Sequence, residues 1–260
     1  MKKINEAYQI LLDVYARHND VVLFFSAGKD SLATLRLVLD LDLGQSTTLL
    51  HVNQGDEFPE ITECVERCGK LVKNLEIAKG DVLSFTKFMG WPTDLPVTDN
   101  TDVGKRMFNV PCGIKAIDKY ACCKHNKWDV WENWIATHDV SVFVSGSKDP
   151  DMYGHTANGT VVNGKVIEIC NPIRSWTDED VLSYLKEKDF MFGQEERLYL
   201  DMDTSLDCRC CTAHWEHAAS RLAYLRKHHP KLAQIIADRY GILRDDAKKR
   251  IAIIDEALRR

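Results

Sequence analysis

Six consecutive residues, Ser26-Ala27-Gly28-Lys29-Asp30-Ser31, bring two hydroxyls, a glycine, an ammonium and a carboxylate into one short turn. Those types at that density suit a phosphate. Gly28 lets the backbone approach closely, Ser26 and Ser31 add donors, Lys29 adds a point charge, and Asp30 can cap a helix or stand beside a metal ion. A second group is built on sulfur. Of the nine cysteines, Cys122 and Cys123 are adjacent, and Cys208, Cys210 and Cys211 crowd one turn. Cys122, Cys123, Cys208 and Cys211 supply four thiolates, a donor set for a [4Fe–4S] cluster or a tetrahedral zinc. Cys210 or Cys112 could replace one of them, and plain buried thiols are the third reading. Cys64, Cys68 and Cys170 read as core thiols.

The elements that must position these groups follow from the flanking pattern. Val21 to Phe25 is an unbroken apolar run that reads as a buried strand, and Leu32 to Leu39 continue with helical periodicity. A turn between strand and helix leaves the first helical N–H groups without intrahelical acceptors, where the helix dipole also favours an anion. The spacing is not Gly-x-x-x-x-Gly-Lys-Ser/Thr, so this is no Walker loop; an ordinary turn rich in small residues is the plain alternative. Thr47 to Val52 reads as a second strand, giving a βαβ unit with a parallel sheet, whose ligands sit at the carboxyl ends of the strands.

The rest of the chain is read in the same way. A helix is expected over residues 4–17, a helix from Pro59, and loops through much of 81–110, where Lys105 and Arg106 read as solvated charges. Trp128, Trp131 and Trp134 are spaced to pack from one helix, and Val140 to Val144 reads as a strand that delivers Ser145, Gly146, Ser147 and Lys148. Thr160 to Ile169 reads as a hairpin around Asn163-Gly164, and Thr177 as the N-cap of the helix after it. From Ala213 onward the pattern is helical, with Pro230 opening a segment and Gly241 closing one; His214, His217, His228 and His229 are candidates for acid–base work, with surface residues the plainer reading.

Composition bounds the function. At 260 residues, 45% apolar and 28% charged, the chain is globular in type, and its net charge of −5 carries no global signature of a nucleic-acid binder. The first residues lack an apolar signal core and no run reaches membrane-spanning length, so a cytoplasmic, reducing location is expected, with thiols rather than disulfides.

Three strings carry a resemblance. Ser26 to Ser31 resembles the Ser-Gly-Gly-x-Asp-Ser loop of the PP-loop ATP pyrophosphatases, with Ala27 in place of a glycine. Asn53 to Thr62 resembles the Asp-Thr-Gly-x-x-Phe-Pro-Glu-Thr segment of one branch of that superfamily, with Asn53 and Gln54 replacing Asp and Thr. That branch holds phosphoadenosine phosphosulfate (PAPS) reductase, sulfate adenylyltransferase and DNA phosphorothioation enzymes. Asn171 to Leu185 resembles its Asn-Pro-Ile-x-x-Trp-Thr-x-x-Asp-Val-x-x-Tyr-Leu segment. The cysteine pattern is similar to the cluster motif of adenosine phosphosulfate (APS) reductases and of PP-loop enzymes that install sulfur in nucleic acids.

The resemblance implies an α/β fold, Rossmann-like and three-layered, with a mainly parallel sheet, a Cys-rich loop and a helical C-terminal tail. Residues 1–212 would form the nucleotide-binding domain with its Cys cluster and 213–260 a helical extension. It implies ATP with Mg²⁺ on Ser26, Ala27, Gly28, Lys29, Asp30 and Ser31, with Lys29 and Asp30 catalytic. His51, Val52 and Asn53 would line the adenosine pocket, completed by Ser145, Gly146 and Lys148. The reaction would be α–β cleavage of ATP to adenylylate an acceptor for sulfur transfer, with an iron–sulfur cluster on the four cysteines. A sulfur-donor protein or thiol reductant and a nucleic-acid acceptor are the implied partners, with no membrane. The family's reductases use a thiolate in a Glu-Cys-Gly-x-His context, and no cysteine follows Cys211 here. The alternatives are therefore an APS or PAPS reductase that borrows an external thiol, and a non-catalytic module that binds an adenine nucleotide or docks on nucleic acid.

Overall fold

The computed structural model describes residues 2–95, 114–151, 160–162, 165–190, 201–202 and 208–260. Lys105, Arg106, Cys112 and the Asn163-Gly164 turn lie outside the described residues. The chain divides into two compact units. One comprises Met1–Asn53, Phe58–Lys79 and Asp129–Arg197; the other comprises Gln54–Glu57, Gly80–Trp128 and Leu198–Arg260, which takes in the whole of 213–260.

The first unit is an α/β sheet. Helix α1 (Lys2–Arg17) precedes β1 (Val21–Phe24), α2 (Lys29–Asp40), β2 (Thr47–Asn53), α3 (Pro59–Gly69) and β3 (Asn74–Lys79). After the second unit intervenes come α6 (Asp129–Thr137), β6 (Val142–Val144), β7 (Thr160–Val162), β8 (Lys165–Cys170) and α7 (Asp178–Glu187). The strands lie in the order β3-β2-β1-β6-β8-β7, all neighbours parallel except the β7–β8 pair. The chain therefore reverses direction across the sheet between β2 and β6, on either side of β1, which opens a crevice at the carboxyl end of β1. Val22, Leu50, Val52, Phe143 and Ile167 form a buried cluster against which Phe24, Trp131 and Trp134 pack. The latter three meet Phe143 or one another edge-on, with Phe24 and Trp131 ring centroids 6.3 Å apart. Cys64, Cys68 and Cys170 are buried, as their apolar neighbours required.

The second unit contains α4 (Val82–Met89), a short parallel pair β4 (Trp91–Thr93) and β5 (Ala116–Asp118), and α5 (Lys119–Cys123). Lys124–Trp128 then forms a π-turn, and α8 (Ala218–His228) and α9 (Pro230–Arg259) follow. Three sequence expectations are corrected here. Residues 82–89 form a helix, capped by Asp81 through its carboxylate and the Ser84 N–H at 3.1 Å. Trp128 is 41% exposed, because the π-turn adds a residue per turn and rotates it off the stripe shared by Trp131 and Trp134. Gly241 does not close a helix: α9 runs through it, since a mid-helix glycine costs only about 1 kcal/mol.

One carboxylate ties three helices of the first unit. Asp40, at the end of α2, has a side chain only 8% exposed and accepts from Tyr8 of α1 at 2.7 Å and Tyr184 of α7 at 2.9 Å. Arg36 and Lys188, the latter at 2.8 Å, complete it as ion pairs. Burial alone raises the Asp40 carboxyl, but the hydrogen bonds from Lys188, Tyr8, Arg36 and Tyr184 outweigh it and hold it well below the usual carboxylate range. Replacement Asp40→Ala strands these donors and is expected to cost about 3 kcal/mol at neutral pH. Because the folded value is depressed, the stabilisation is complete above the ordinary pKa of 3.8 and fades as pH falls below it. Urea denaturation of both proteins at neutral and strongly acidic pH checks this; a gap between them that does not narrow in acid contradicts it.

Candidate functional site

The site is built at the carboxyl end of β1. Phe25 continues the strand, its N–H donating to the Leu50 carbonyl at 2.8 Å, and the chain then turns sharply at Ala27, which takes a left-handed φ of 59°. That conformation costs an alanine about 1–2 kcal/mol and a glycine almost nothing. Gly28 is the N-cap of α2 and offers no side-chain acceptor, so the first-turn N–H groups face outward from the helix head. Around them the turn is internally braced. Ser31 Oγ donates to the Gly28 carbonyl at 2.9 Å, and Gly28 N–H reaches Ser26 Oγ at 3.3 Å.

The loop after β6 presses directly on this helix head. A Cβ added at Gly146 would stand 2.7 Å from the Asp30 carbonyl carbon and oxygen and 2.9 Å from the Ser31 nitrogen. Only glycine permits so close an approach. Ser145 N–H donates to the Cys170 carbonyl at 2.8 Å, which fixes the loop to β8, and Ser145 and Ser147 hydroxyls lie 2.9 Å apart.

Two ammoniums and two carboxylates meet at this point. Lys29 Nζ lies 2.9 Å from Asp30 Oδ2 and 3.1 Å from Asp178 Oδ1. Lys148 Nζ lies 3.0 Å from Asp30 Oδ1 and pairs closely with Asp178 as well. Lys148 is buried, while Asp178 is largely exposed. Burial alone lowers the Lys148 ammonium, but hydrogen bonds to Asp178 and Asp30 outweigh it and raise the pKa, so the charge persists. Asp178 is held below its usual range chiefly by Lys148, against burial and with help from Lys29.

The sequence reading placed Ser26 to Ser31, Gly146 and Lys148 as candidates, and the structure brings them together. It did not assign Asp178, which stands in the first turn of α7 behind a full capping box between Thr177 and Asp180. Its position looked like helix-dipole chemistry alone. His51 lies at the adjacent end of β2 and donates from Nδ1 to the Phe25 carbonyl at 2.8 Å, while the Val52 side chain joins the core. Asn53 ends β2 opposite Lys79.

The cysteines form a separate constellation in the second unit. Cys122 and Cys210 are buried together with Val82 and Ile117, and Cys208 packs against them. Burial pushes the Cys122 thiol up to about 12, with Cys123 and Cys211 adding to the shift. The turn from Cys208 to Cys211 is clamped by charged neighbours. Arg209 donates twice to Asp56 Oδ1, at 3.0 and 2.7 Å, and its N–H reaches the Asp56 carbonyl at 2.9 Å. Arg221 donates to the Cys208 carbonyl and Arg239 to the Cys210 carbonyl. The gathered thiols are a soft donor set that suits iron–sulfur or zinc, although among the described residues no three His, Cys, Asp or Glu side chains stand ready to hold a metal ion. His228 is half-buried rather than a free surface residue and pairs with Asp201 at 2.9 Å. Among the described residues no helix is long and apolar enough to cross a membrane.

The phosphoadenosine phosphosulfate reductase domain model matches residues 20–214. Among solved structures, the chain is similar to a phosphoadenylyl-sulfate (PAPS) reductase from Candida auris, determined as a phosphate complex. The likeness has 14% sequence identity and a TM-score of 0.53, and covers 78% of this chain and 87% of the other. It supports the fold: a mainly parallel α/β sheet with flanking helices. Curated protein sequences gave no match.

The close contact at Gly146 generates a test. Gly146→Ala forces the added methyl into the backbone of Asp30 and Ser31, which cannot yield as a flexible side chain would. A loss of about 1–3 kcal/mol in stability is expected, with weaker thermal stabilisation by inorganic pyrophosphate. Melting curves with and without pyrophosphate measure both; an unchanged response to pyrophosphate would contradict the role of this contact.

Proposed function

Because the chain belongs to the phosphoadenosine phosphosulfate reductase domain family, we propose that it is an adenine-nucleotide enzyme. In this reading it cleaves ATP between the α and β phosphates, adenylylating an acceptor in service of sulfur transfer. The observation that carries this reading is the pair of ammoniums, Lys29 and Lys148, held side by side over the head of α2 by Asp30 and Asp178. Two cations beside outward-facing N–H groups suit a departing pyrophosphate, which bears more charge than a single phosphate.

An acceptor oxygen attacks the α-phosphorus, the bond from that phosphorus to the bridging oxygen breaks, and pyrophosphate leaves with the electron pair. The loop N–H groups, Ser26, Ser31, Lys29 and Lys148 take up the charge that develops on it. Entry of the polyphosphate displaces the exposed Asp178 from the lysines and frees Asp30 to face Mg²⁺. Asp30 is the residue that would hold Mg²⁺, which when bound would supply neutralisation of part of the phosphate charge. His51 and Asn53, at the end of the neighbouring strand, are the adenosine side of the site. Cys122, Cys123, Cys208 and Cys211 would hold a [4Fe–4S] cluster, which supplies sulfur or electron chemistry or a structural tie.

The family's description favours a second reading, reduction of a sulfonucleotide. With no cysteine after Cys211 in these 260 residues, the attacking thiol would come from a partner protein or a small thiol reductant.

Isothermal titration of the anaerobically purified protein with ATP, APS and PAPS, each with Mg²⁺, separates the readings. ATP is expected to bind tightest, and Lys29→Ala to weaken it by about 10- to 100-fold. Tightest binding of APS or PAPS, followed by sulfite release with added thiol, would establish the reductase instead. ATP binding with no AMP or pyrophosphate under any acceptor would leave a binding module. The same preparation is expected to contain iron and acid-labile sulfide, and Cys122→Ser or Cys208→Ser to lose both. Stoichiometric zinc without sulfide would overturn the cluster assignment.

A further inference from the structure

Helix α9 carries a seam that the described part of its own chain leaves open. Ala237, Tyr240, Arg244, Ala247, Ile251, Ile254 and Leu258 recur at alternating spacings of three and four, the pattern by which one helix packs along another. Towards Leu258 the seam is bare: Ile251, Ile254 and Leu258 are 56%, 59% and 80% exposed. Further back it borders a groove of about 560 Å³ lined by Trp215, Leu222, Tyr240, Gly241 and Ala247 among others. The groove exists because the seam is small there. At Gly241 an added Cβ would meet no atom within 4 Å. A helix draws most of its stability from packing its apolar face, and an exposed stripe of branched aliphatics marks a contact surface.

We propose that this seam is a dimer interface, in which the α9 helices of two copies of the chain pack antiparallel about a two-fold axis. Charge and size both select that occupant and orientation. With Ile251 set against Ile254 of the second copy, Leu258 falls on Ala247 of the second copy, a large residue on a small one at the mouth of the groove. In the same register Lys248 faces Asp255 of the second copy, and the two-fold repeats that ion pair. A parallel arrangement would instead bury Arg244 against Arg244 of the second copy, two like charges at one layer. Self-complementarity of this kind is the requirement for an isologous contact.

Sedimentation equilibrium of the full chain over a range of concentrations reads the association directly. A reversible dimer is expected. Ile254→Glu, at an exposed position that leaves the monomer's melting temperature unchanged, is expected to weaken it at least about a hundredfold, since two isoleucines lose their burial. Lys248→Glu and Asp255→Lys are each expected to weaken it about tenfold, and the combined reversal to restore it to near the unmodified value. A monomer at all concentrations, a dimer indifferent to Ile254→Glu, or a combined reversal weaker than either single one would each overturn the interface. So would association only with a different macromolecule.

Discussion

Everything at the nucleotide end of the sheet depends on keeping four charges balanced in a poorly solvated place. Lys148 is buried, and a lone ammonium there would shed its proton or the loop would open to water. Asp30 and Asp178 prevent both, at 2.9–3.1 Å in the contacts that Lys29 makes. The arrangement needs β6 beside β1, because the β6 loop carries Lys148 while α2 follows β1. It also needs Gly146, since any side chain there would hold the two loops apart. Sheet order, one glycine and a four-charge cluster are thus a single constraint seen at three levels.

What could be read in the sequence divides along the range of the interactions involved. The strand at Val21, the turn to α2 and the capping at Thr177 are local, and periodicity with turn chemistry was enough to place them. Asp178 went unassigned because its partners are far off in the chain, Lys148 thirty residues away, and a pattern of neighbours holds no trace of them. Trp128 shows a different failure. Its spacing to Trp131 assumes an uninterrupted α-helix, and the π-turn from Lys124 to Trp128 breaks that assumption without any glycine or proline to announce it. The helix at Val82 did leave a local sign, the Asp81 cap, but the many loop signals after it diluted the pattern.

The cysteine turn shows how charged side chains can organise a sulfur-bearing turn through its backbone carbonyls, with Asp56 also reaching the Cys210 thiol. Arg221 and Arg239 take up the carbonyls of Cys208 and Cys210, and Asp56 is bound twice over by Arg209 between them. Backbone carbonyls satisfied by guanidinium groups stay where they are put when the thiols lose protons or bind a metal. Arg221 comes from α8 and Arg239 from α9, so both helices help define the cysteine turn. That explains physically why residues 213–260 group with the cysteine segment.

In the proposed reading, the choice between ATP cleavage and sulfonucleotide reduction turns on which of the four charges is easiest to replace. Asp178 is the most exposed of the four groups and bridges both lysines, so on that reading it is the group that an incoming anion would replace. A triphosphate offers a leaving group with enough negative charge to satisfy Lys29 and Lys148 together once Asp178 swings away. A sulfonucleotide with a single phosphosulfate presents less charge at that end, and would leave one ammonium dependent on Asp30. Under the proposed reading, the paired charge of Lys29 and Lys148 is what a departing pyrophosphate would take up.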